Sequence, residues 1–520
     1  MNPEAKDKLE ENFDPSLLNS LGIDVENIAI DSRMVKPGDT FLAYVGEKVD
    51  ARKFIPQAIE AGANAVLWER NGFVWNSKWG NTPNLPVSKL RAKVGAIASH
   101  VYGNPSGKLR LIGVTGTNGK TSCVQWIAQA LTKFDIKTAS IGTLGNGFAD
   151  ELRPAVNTTP DPVLLQQRIA SFLKHGAQCV VMEVSSHGIE QGRINGSTLS
   201  VALFTNLSHD HLDYHGNMQA YAATKARLFH WAGLKYAVLN FDDVFSVELI
   251  KQLTGRATHI IGYGFEKLVI KKYDSKSFKM VYGHNLRVSG QGLEFDVVFE
   301  DEHVKIKTAL IGEFNASNLL AVLSTLLACG FSLSDAAKSL QEIQPIPGRM
   351  EKFGGGNLPL VVIDFAHTPE ALEKTLIALR VVINSAKDVT NIKDKKPKLI
   401  CIFGCGGDRD QDKRALMGKI ATELSDETII TSDNPRNEDP CSIINEIVLG
   451  AGINYLVQEN REAAIRRALY GAHKGDIVLI AGKGHEAYQE IGKKRFPFSD
   501  AKVVRLILQE LTSKVQGHQE

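Results

Sequence analysis

Apolar and polar positions divide the chain into three stretches. In the first, apolar runs at 28–30 and 40–45 flank the turn residues Lys36-Pro37-Gly38-Asp39 and predict two strands. Phe54, Ile55, Ala58 and Ile59 then recur at helical spacing up to Gly62. Breakers crowd Tyr102-Gly103-Asn104-Pro105-Ser106-Gly107, which reads as a linker. In the second stretch, apolar runs at 109–115, 179–184, 201–205 and 236–240 are separated by helical patterns. The first of these starts near Lys120, with Val124, Ile127, Ala128, Leu131 and Phe134 on one face. Strands alternating with helices predict a parallel sheet, and the short alternating runs within 278–311 predict an antiparallel meander at its edge. The third stretch repeats the strand–helix alternation, with runs at 360–363, 399–403, 428–432 and 477–481. The pattern predicts an α/β protein of three domains: 1–106, 107–347 and 348–520. The polar, lysine-rich residues 384–398 predict a solvated surface loop.

Composition narrows the class. A chain of 520 residues, 43% hydrophobic and 23% charged, is ordinary for a globular protein and long enough for several cores. A net charge of +2 excludes a global basic field of the kind that coats nucleic acid. The cysteines at 123, 179, 329, 401, 405 and 441 form no CxxC pair, so zinc and dithiol motifs are absent and reduced thiols in a cytoplasm are expected. The charged residues 1–13 lack the apolar core of a signal peptide. No run of about 18 apolar residues predicts a membrane span.

Chemistry concentrates after predicted strands, the end of an α/β sheet where ligands bind. The sharpest signal is Gly113-Val114-Thr115-Gly116-Thr117-Asn118-Gly119-Lys120-Thr121-Ser122, between an apolar strand and an amphipathic helix. Glycines let N–H groups curl around phosphate, the helix N-terminus adds partial positive charge, Lys120 can reach β- and γ-phosphates, and the Thr121 hydroxyl can ligate Mg2+. Valine at 114 departs from the strict GxxxxGK[ST] pattern. Glu183, in Glu183-Val184-Ser185-Ser186-His187, is either a metal-holding carboxylate or a paired structural acid. The cluster His209, Asp210, His211, Asp213 and His215 suits either a transition-metal hydrolase or a nucleotide site with one histidine at Mg2+. By composition Lys225 is a helix-surface lysine. Gly404–Asp410, Asp433–Arg436 and Gly482–Glu486 each follow a strand, so they converge on one sheet edge. Their arginines and glutamate suit a zwitterionic ligand.

Together, the residues 115–121, Glu183–His187, the 206–213 segment and Lys225 resemble the Mur ligases, ATP-dependent amide-forming enzymes of peptidoglycan precursor synthesis. The resemblance runs from Asp31-Ser32-Arg33 to Gly482–Glu486. It implies an N-terminal uridine-nucleotide-binding domain, a central P-loop ATPase domain and a C-terminal Rossmann-like domain. ATP would lie on Gly116, Thr117, Asn118, Gly119, Lys120, Thr121 and Ser122, with Asn315, Asn318, Arg349 and Asp364 on the adenosine side. Ser32, Asn157, Thr158, Thr159, Ser185, Gln191 and Arg193 would hold UDP-N-acetylmuramoyl-L-alanyl-D-glutamate. Lys120, Lys225 and His211 would be catalytic. Thr121, Glu183, His211 and a Lys225 carboxylated by CO2 would serve Mg2+. Within the family, Asp433-Asn434-Pro435-Arg436 accompanies selection of meso-diaminopimelate, implying a pocket of Arg409, Asp433, Asn434, Pro435, Arg436, Gly482 and Glu486. The far carboxylate of diaminopimelate gives Arg436 a partner that lysine lacks. The implied reaction passes through an acyl phosphate, in a cytoplasmic monomer whose third domain closes over the second, with consequences for cell shape and division. Three departures stand out: Asp50-Ala51-Arg52 replaces the usual Asp-Gly-His, Phe365 replaces a common tyrosine, and 384–398 is an insertion. The alternatives are a lysine-adding or folylpolyglutamate-type ligase, the histidine-metal hydrolase, and a P-loop binding protein without amino-acid-stimulated phosphate release.

Overall fold

The computed structural model describes residues 14–47, 49–265, 278–387 and 396–516. The charged 1–13 segment and residues 388–395 of the lysine-rich stretch lie outside them. Three main sheets follow one another along the chain. The first is four-stranded and all parallel: Ile28–Ala29, Thr40–Ala43, Ala65–Glu69 and Asn84–Val87.

The second sheet has 11 strands. Its parallel centre carries, in spatial order, His259–Gly264, Tyr236–Asn240, Val201–Phe204, Arg110–Thr115, Cys179–Glu183 and Thr138–Gly142. One edge is the meander Phe278–Ser289, Gly292–Phe299 and Glu302–Thr308, whose successive pairings are antiparallel, as the alternating pattern predicts. The other edge adds Gly145–Phe148 and Glu151–Arg153. Alternation along Arg110–Thr115 sends Ile112 and Val114 into one apolar layer and Leu111 into the opposite one. Both faces are covered, so the loops at the strand ends are the accessible part of this sheet.

The third sheet has six strands, five of them parallel in the order Leu360–Asp364, Ile477–Ala481, Leu399–Phe403, Glu427–Ile430 and Tyr455–Val457. A separate hairpin pairs Tyr488–Ile491 with Lys494–Pro497. The last helix, Asp500–Gln516, is pinned inside the fold by an ion pair with no solvent exposure on either side chain: Asp500 takes Arg461 Nε and Nη2, both at 2.8 Å. Arg461 Nη2 also donates to Ala481 O at 2.9 Å, where the 482–486 loop begins.

The lysine-rich stretch departs from its predicted loop. The helix Pro369–Lys387 continues through 384–387, because its apolar face (Leu372, Leu376, Leu379, Val382, Ile383) keeps packing against the third sheet. No helix among the described residues is long and apolar enough to cross a membrane.

Candidate active site

Strand Arg110–Thr115 and helix Lys120–Lys133 are joined by a loop that only glycine can close. A Cβ at Gly116 (φ +150°) would sit 1.9 Å from Thr205 Oγ1, and one at Gly119 (φ +82°) 2.4 Å from Asn318 Oδ1. Val114 lies inside the strand, paired with Leu203 and Glu183, so the missing glycine is not needed there. Asn206 ties the loop down, accepting from Thr117 N through its carbonyl (2.8 Å) and from Asn118 N through Oδ1 (2.9 Å). Lys120 Nζ curls back onto Gly116 O and Thr117 O, both at 2.8 Å.

Lys225 is the main surprise against composition. It is 1% exposed, not on the surface. Its Nζ donates to the same Gly116 O at 2.9 Å and lies 4.4 Å over the Tyr221 ring. Two ammonium groups thus share one carbonyl. Burial holds the Lys120 amine below its ordinary value; burial and the Lys120 charge hold that of Lys225 well below it.

Glu183 ends the strand beside the loop, 1% exposed. It accepts from Thr121 Oγ1 (3.1 Å), Thr143 N (2.8 Å) and Thr143 Oγ1 (3.2 Å). Arg349 crosses from the third stretch of chain, its Nη2 donating to Thr121 Oγ1 at 3.1 Å and its guanidinium 4.5 Å above the Phe365 ring. Asn318, fixed by Asn315 Oδ1 at 3.3 Å, packs against Gly119. Asp364 instead spends its carboxylate on Met350 N (2.8 Å) and Ala366 N (2.9 Å), anchoring the chain beside Arg349.

Next to Glu183, Thr159 Oγ1 bonds Glu183 O (2.9 Å) and Ser185 Oγ (3.1 Å), and Thr158 Oγ1 lies 3.1 Å from Thr143 Oγ1. Arg193 donates to Thr159 O (2.7 Å) and to Gln191 Oε1 (2.6 and 2.9 Å). Gln191 in turn reaches Glu47, in the loop after strand Thr40–Ala43, and Tyr214 OH, each at 3.3 Å. His187 packs within 4.7 Å of the His211 ring and 4.2 Å of Tyr214. Desolvation pushes both histidines down to about 4, neighbouring cations adding to the fall. Asn157 and His209 are exposed. Among the described residues, no three His, Cys, Asp or Glu side chains are arranged to hold a metal ion, so the hydrolase alternative finds no ligand set. Ser32 stands apart, buried, with Oγ donating to Gln57 Oε1 at 2.9 Å. At the Asp-Gly-His position, Arg52 pairs with Asp50 (2.8 Å) and caps Asn71 O (2.7 Å), a fold-holding arrangement.

At the third sheet, the loops after Leu399–Phe403, Glu427–Ile430 and Ile477–Ala481 meet so closely that a Cβ at Gly404 would lie 2.1 Å from Thr431 O and one at Gly482 2.6 Å from Asp433 Oδ2. Asn434 Nδ2 donates to Glu486 Oε2 at 2.8 Å. Fully buried Lys483 donates to Asn434 Oδ1 (3.0 Å) and Glu486 Oε2 (2.8 Å). Arg436 gives Nη1 to Gly407 O (2.8 Å) and Nε to Glu490 Oε2 (3.2 Å). Arg409 is exposed at the rim.

Family models match three successive parts of the chain: "Mur ligase family, catalytic domain" over 24–102, "Mur ligase middle domain" over 114–326 and "Mur ligase, glutamate ligase domain" over 348–484. The chain belongs to the Mur ligase family. A relative from Nitrosomonas europaea, named UDP-N-acetylmuramoyl-L-alanyl-D-glutamate–2,6-diaminopimelate ligase, is 51% identical over 521 residues, covering 99% of this chain and 100% of the relative. A solved structure of a ligase with that name is 35% identical with a TM-score of 0.66, covering 94% of this chain and 95% of its own. The MurF ligase of Thermotoga maritima, solved with ADP, shares the fold at 17% identity and a TM-score of 0.58, covering 89% of this chain and 94% of its own.

Seen as a Mur ligase, the chain has polar residues at its site that motif reading missed. Thr143 holds Glu183, Glu47 reaches Gln191, Lys483 holds Asn434 and Glu486, and Glu490 holds Arg436. Lys483 sits inside the Gly482–Glu486 motif and could have been found there. The others act across long sequence separations and leave no local signal.

Proposed function

We propose that this chain is an ATP-dependent ligase of peptidoglycan precursor synthesis. It joins an amine of meso-2,6-diaminopimelate to the D-glutamate γ-carboxylate of UDP-N-acetylmuramoyl-L-alanyl-D-glutamate. The observation that carries this reading is a P-loop beside buried Lys225 and half-buried Lys120, linked through Arg349 to a sheet edge bearing the Asn434–Arg436–Glu486 cluster. The names of relatives at high identity over nearly the whole chain support it.

In this reading residues 1–106 bind the uridine nucleotide through Ser32, residues 107–347 bind ATP, and residues 348–520 bind the incoming amino acid. The γ-phosphate of ATP lies against the 116–122 loop, where Lys120 and the loop amides offset charge on the transferring phosphoryl group. Asn318 and Arg349 border the nucleotide, with Asn315 and Asp364 holding them in place. Asn157, Thr158, Thr159, Ser185, Gln191 and Arg193 line the acceptor dipeptide, bringing its γ-carboxylate toward the phosphorus. The γ-carboxylate attacks the γ-phosphorus and expels ADP; the diaminopimelate amine then attacks the acyl carbon of the resulting acyl phosphate, loses a proton and expels phosphate, leaving the amide. Most of the rate gain is positioning of three substrates.

The donor set fits Mg2+: the Thr121 hydroxyl and the buried Glu183 carboxylate are hard oxygens 3.1 Å apart, and Glu183 pairs with hydroxyl and amide donors rather than with a cation. Thr121, Glu183 and His211 would hold the ion, which when bound shields phosphate charge. A buried, readily neutral amine at Lys225 is the form that adds CO2, and the carbamate would turn one of two crowded cations into an anionic ligand. Reduced cysteines suit a cytoplasmic enzyme, and we take it to act as a monomer.

Phosphate release from ATP tests the reading: it should require both the muramoyl dipeptide and diaminopimelate. Release without the amino acid, or with any amino acid alike, would sink it. Lys225→Ala should lose most activity and recover part of it with added short carboxylates; unchanged activity would remove the carbamate.

A further inference from the structure

Arg436 is held by the hairpin strand Tyr488–Ile491, which runs beside residues 433–436. Gln489 Nε2 donates to Asp433 O (2.6 Å), Glu490 N to Asn434 Oδ1 (2.9 Å), Arg436 N to Glu490 O (3.0 Å) and Gly492 N to Arg436 O (2.7 Å). These contacts keep Arg436 at φ +51°, a left-handed conformation unfavourable for a residue with a side chain. One residue, Glu490, touches both ends of the cluster. Its main chain orients the Asn434 amide, and its carboxylate accepts Arg436 Nε at 3.2 Å.

We propose that Glu490 is a specificity-determining positioning residue: it turns the Arg436 guanidinium so that its outer edge meets the far carboxylate of the amino-acid substrate. This rests on the reading of the site as one for diaminopimelate. With Nε taken by Glu490 and Nη1 partly taken by Gly407 O, the Nη1–Nη2 end faces the ligand and offers the fork that matches a carboxylate. The side chains of Arg436 and Glu490 are 21% and 25% exposed, so the fork is set before the ligand arrives yet remains within its reach. Charge balance supports the same picture. Arg436 is balanced by Glu490 at 3.2 Å, with Arg495 farther at 4.0 Å and largely exposed, so the incoming carboxylate is selected by the free edge of the fork rather than by net charge. The neighbouring Lys483–Glu486 pair is neutral and presents Glu486 and Asn434 to an ammonium. Lysine would satisfy the second half of this pocket and leave the first half unpaired.

The experiment compares Glu490→Ala, Glu490→Gln and Arg436→Ala in the full-length enzyme. KM is measured for diaminopimelate and for ATP, with L-lysine as the competing amine. Glu490→Ala should raise KM for diaminopimelate about tenfold and narrow its advantage over lysine, with KM for ATP within about twofold of the parent. Glu490→Gln keeps an oxygen for Nε–H and should restore most of the loss. If Arg436→Ala weakens diaminopimelate use and Glu490→Ala does not, the positioning role is overturned and the site stands. If Glu490→Ala raises both KM values alike, the role is equally overturned. If Arg436→Ala leaves diaminopimelate use unchanged, the site reading itself falls. Should the alanine variant not fold, Glu490→Gln against Glu490→Asp, which withdraws the carboxylate by one methylene, reads the same contact.

Discussion

The P-loop edge and the third-sheet edge are both built from loops at the ends of parallel strands, yet they manage charge in opposite ways. Around the P-loop, half-buried Lys120 and buried Lys225 have no carboxylate in ion-pair contact among the described residues, and their ammonium groups lean on backbone carbonyls. At the third-sheet edge the cations are already paired: Lys483 with Glu486, Arg436 with Glu490, and fully buried Arg414 with Glu438 and Glu446. Buried cations without counter-charges are costly, and a polyanion relieves that cost on binding. A pre-paired pocket offers little net attraction but rejects ligands that leave a partner unmatched. In the proposed function, the first region attracts phosphate and the second discriminates among amino acids.

The largest effects should come from the attracting side. Lys120→Ala should lower kcat about 10²- to 10³-fold in the phosphate-release assay, the usual consequence of removing one preorganised donor from a charge-stabilising site. On the discriminating side, Arg436→Ala should cost about 10²-fold in kcat/KM for diaminopimelate with little change for ATP. Comparable losses for both substrates in either variant would erase the contrast.

A third test asks whether the pre-paired edge depends on its buried anchor. Asp500→Ala strands Arg461 without a counter-charge, and breaking such a pair costs about 3–5 kcal/mol. A clear fall in Tm is expected. Since Arg461 also holds Ala481 O, KM for diaminopimelate should rise more than KM for ATP.

The same contrast explains what the sequence could and could not reveal. The P-loop is ten consecutive residues between a strand and a helix, so local pattern exposes it, and Val114 proves harmless because it lies in the strand. Lys225 is hidden, because nothing in Tyr221–Phe229 distinguishes a lysine pointing at Gly116 O from one facing water; only a family resemblance singles it out. Glu490 and Arg436 lie 54 positions apart and Lys483 and Asn434 lie 49 apart, so their pairing depends on topology. The strand Thr138–Gly142 escaped notice because its alanine, serine and glycine carry no alternating apolar signal, although both of its neighbours are in the sheet. The hairpin's second strand, Lys494–Pro497, is wholly exposed and shows no core face.

The smallest effect is also the most general probe of the contrast. If ATP is drawn by cations without counter-charges and diaminopimelate by a locally balanced pocket, added salt should act on the two unequally. Mobile ions screen at about 8–10 Å near physiological strength and at about 3 Å near 1 M, but buried groups feel this weakly, so the change is modest. Raising KCl from low concentration to about 0.5 M should increase KM for ATP about two- to threefold at fixed free Mg2+. KM for diaminopimelate should stay nearly constant, because salt weakens attraction of its carboxylate by Arg436 and its repulsion by Glu490 together. A salt dependence as steep for diaminopimelate as for ATP would mean that the third-sheet edge also works by net attraction, and its ion pairs would then be structural rather than selective.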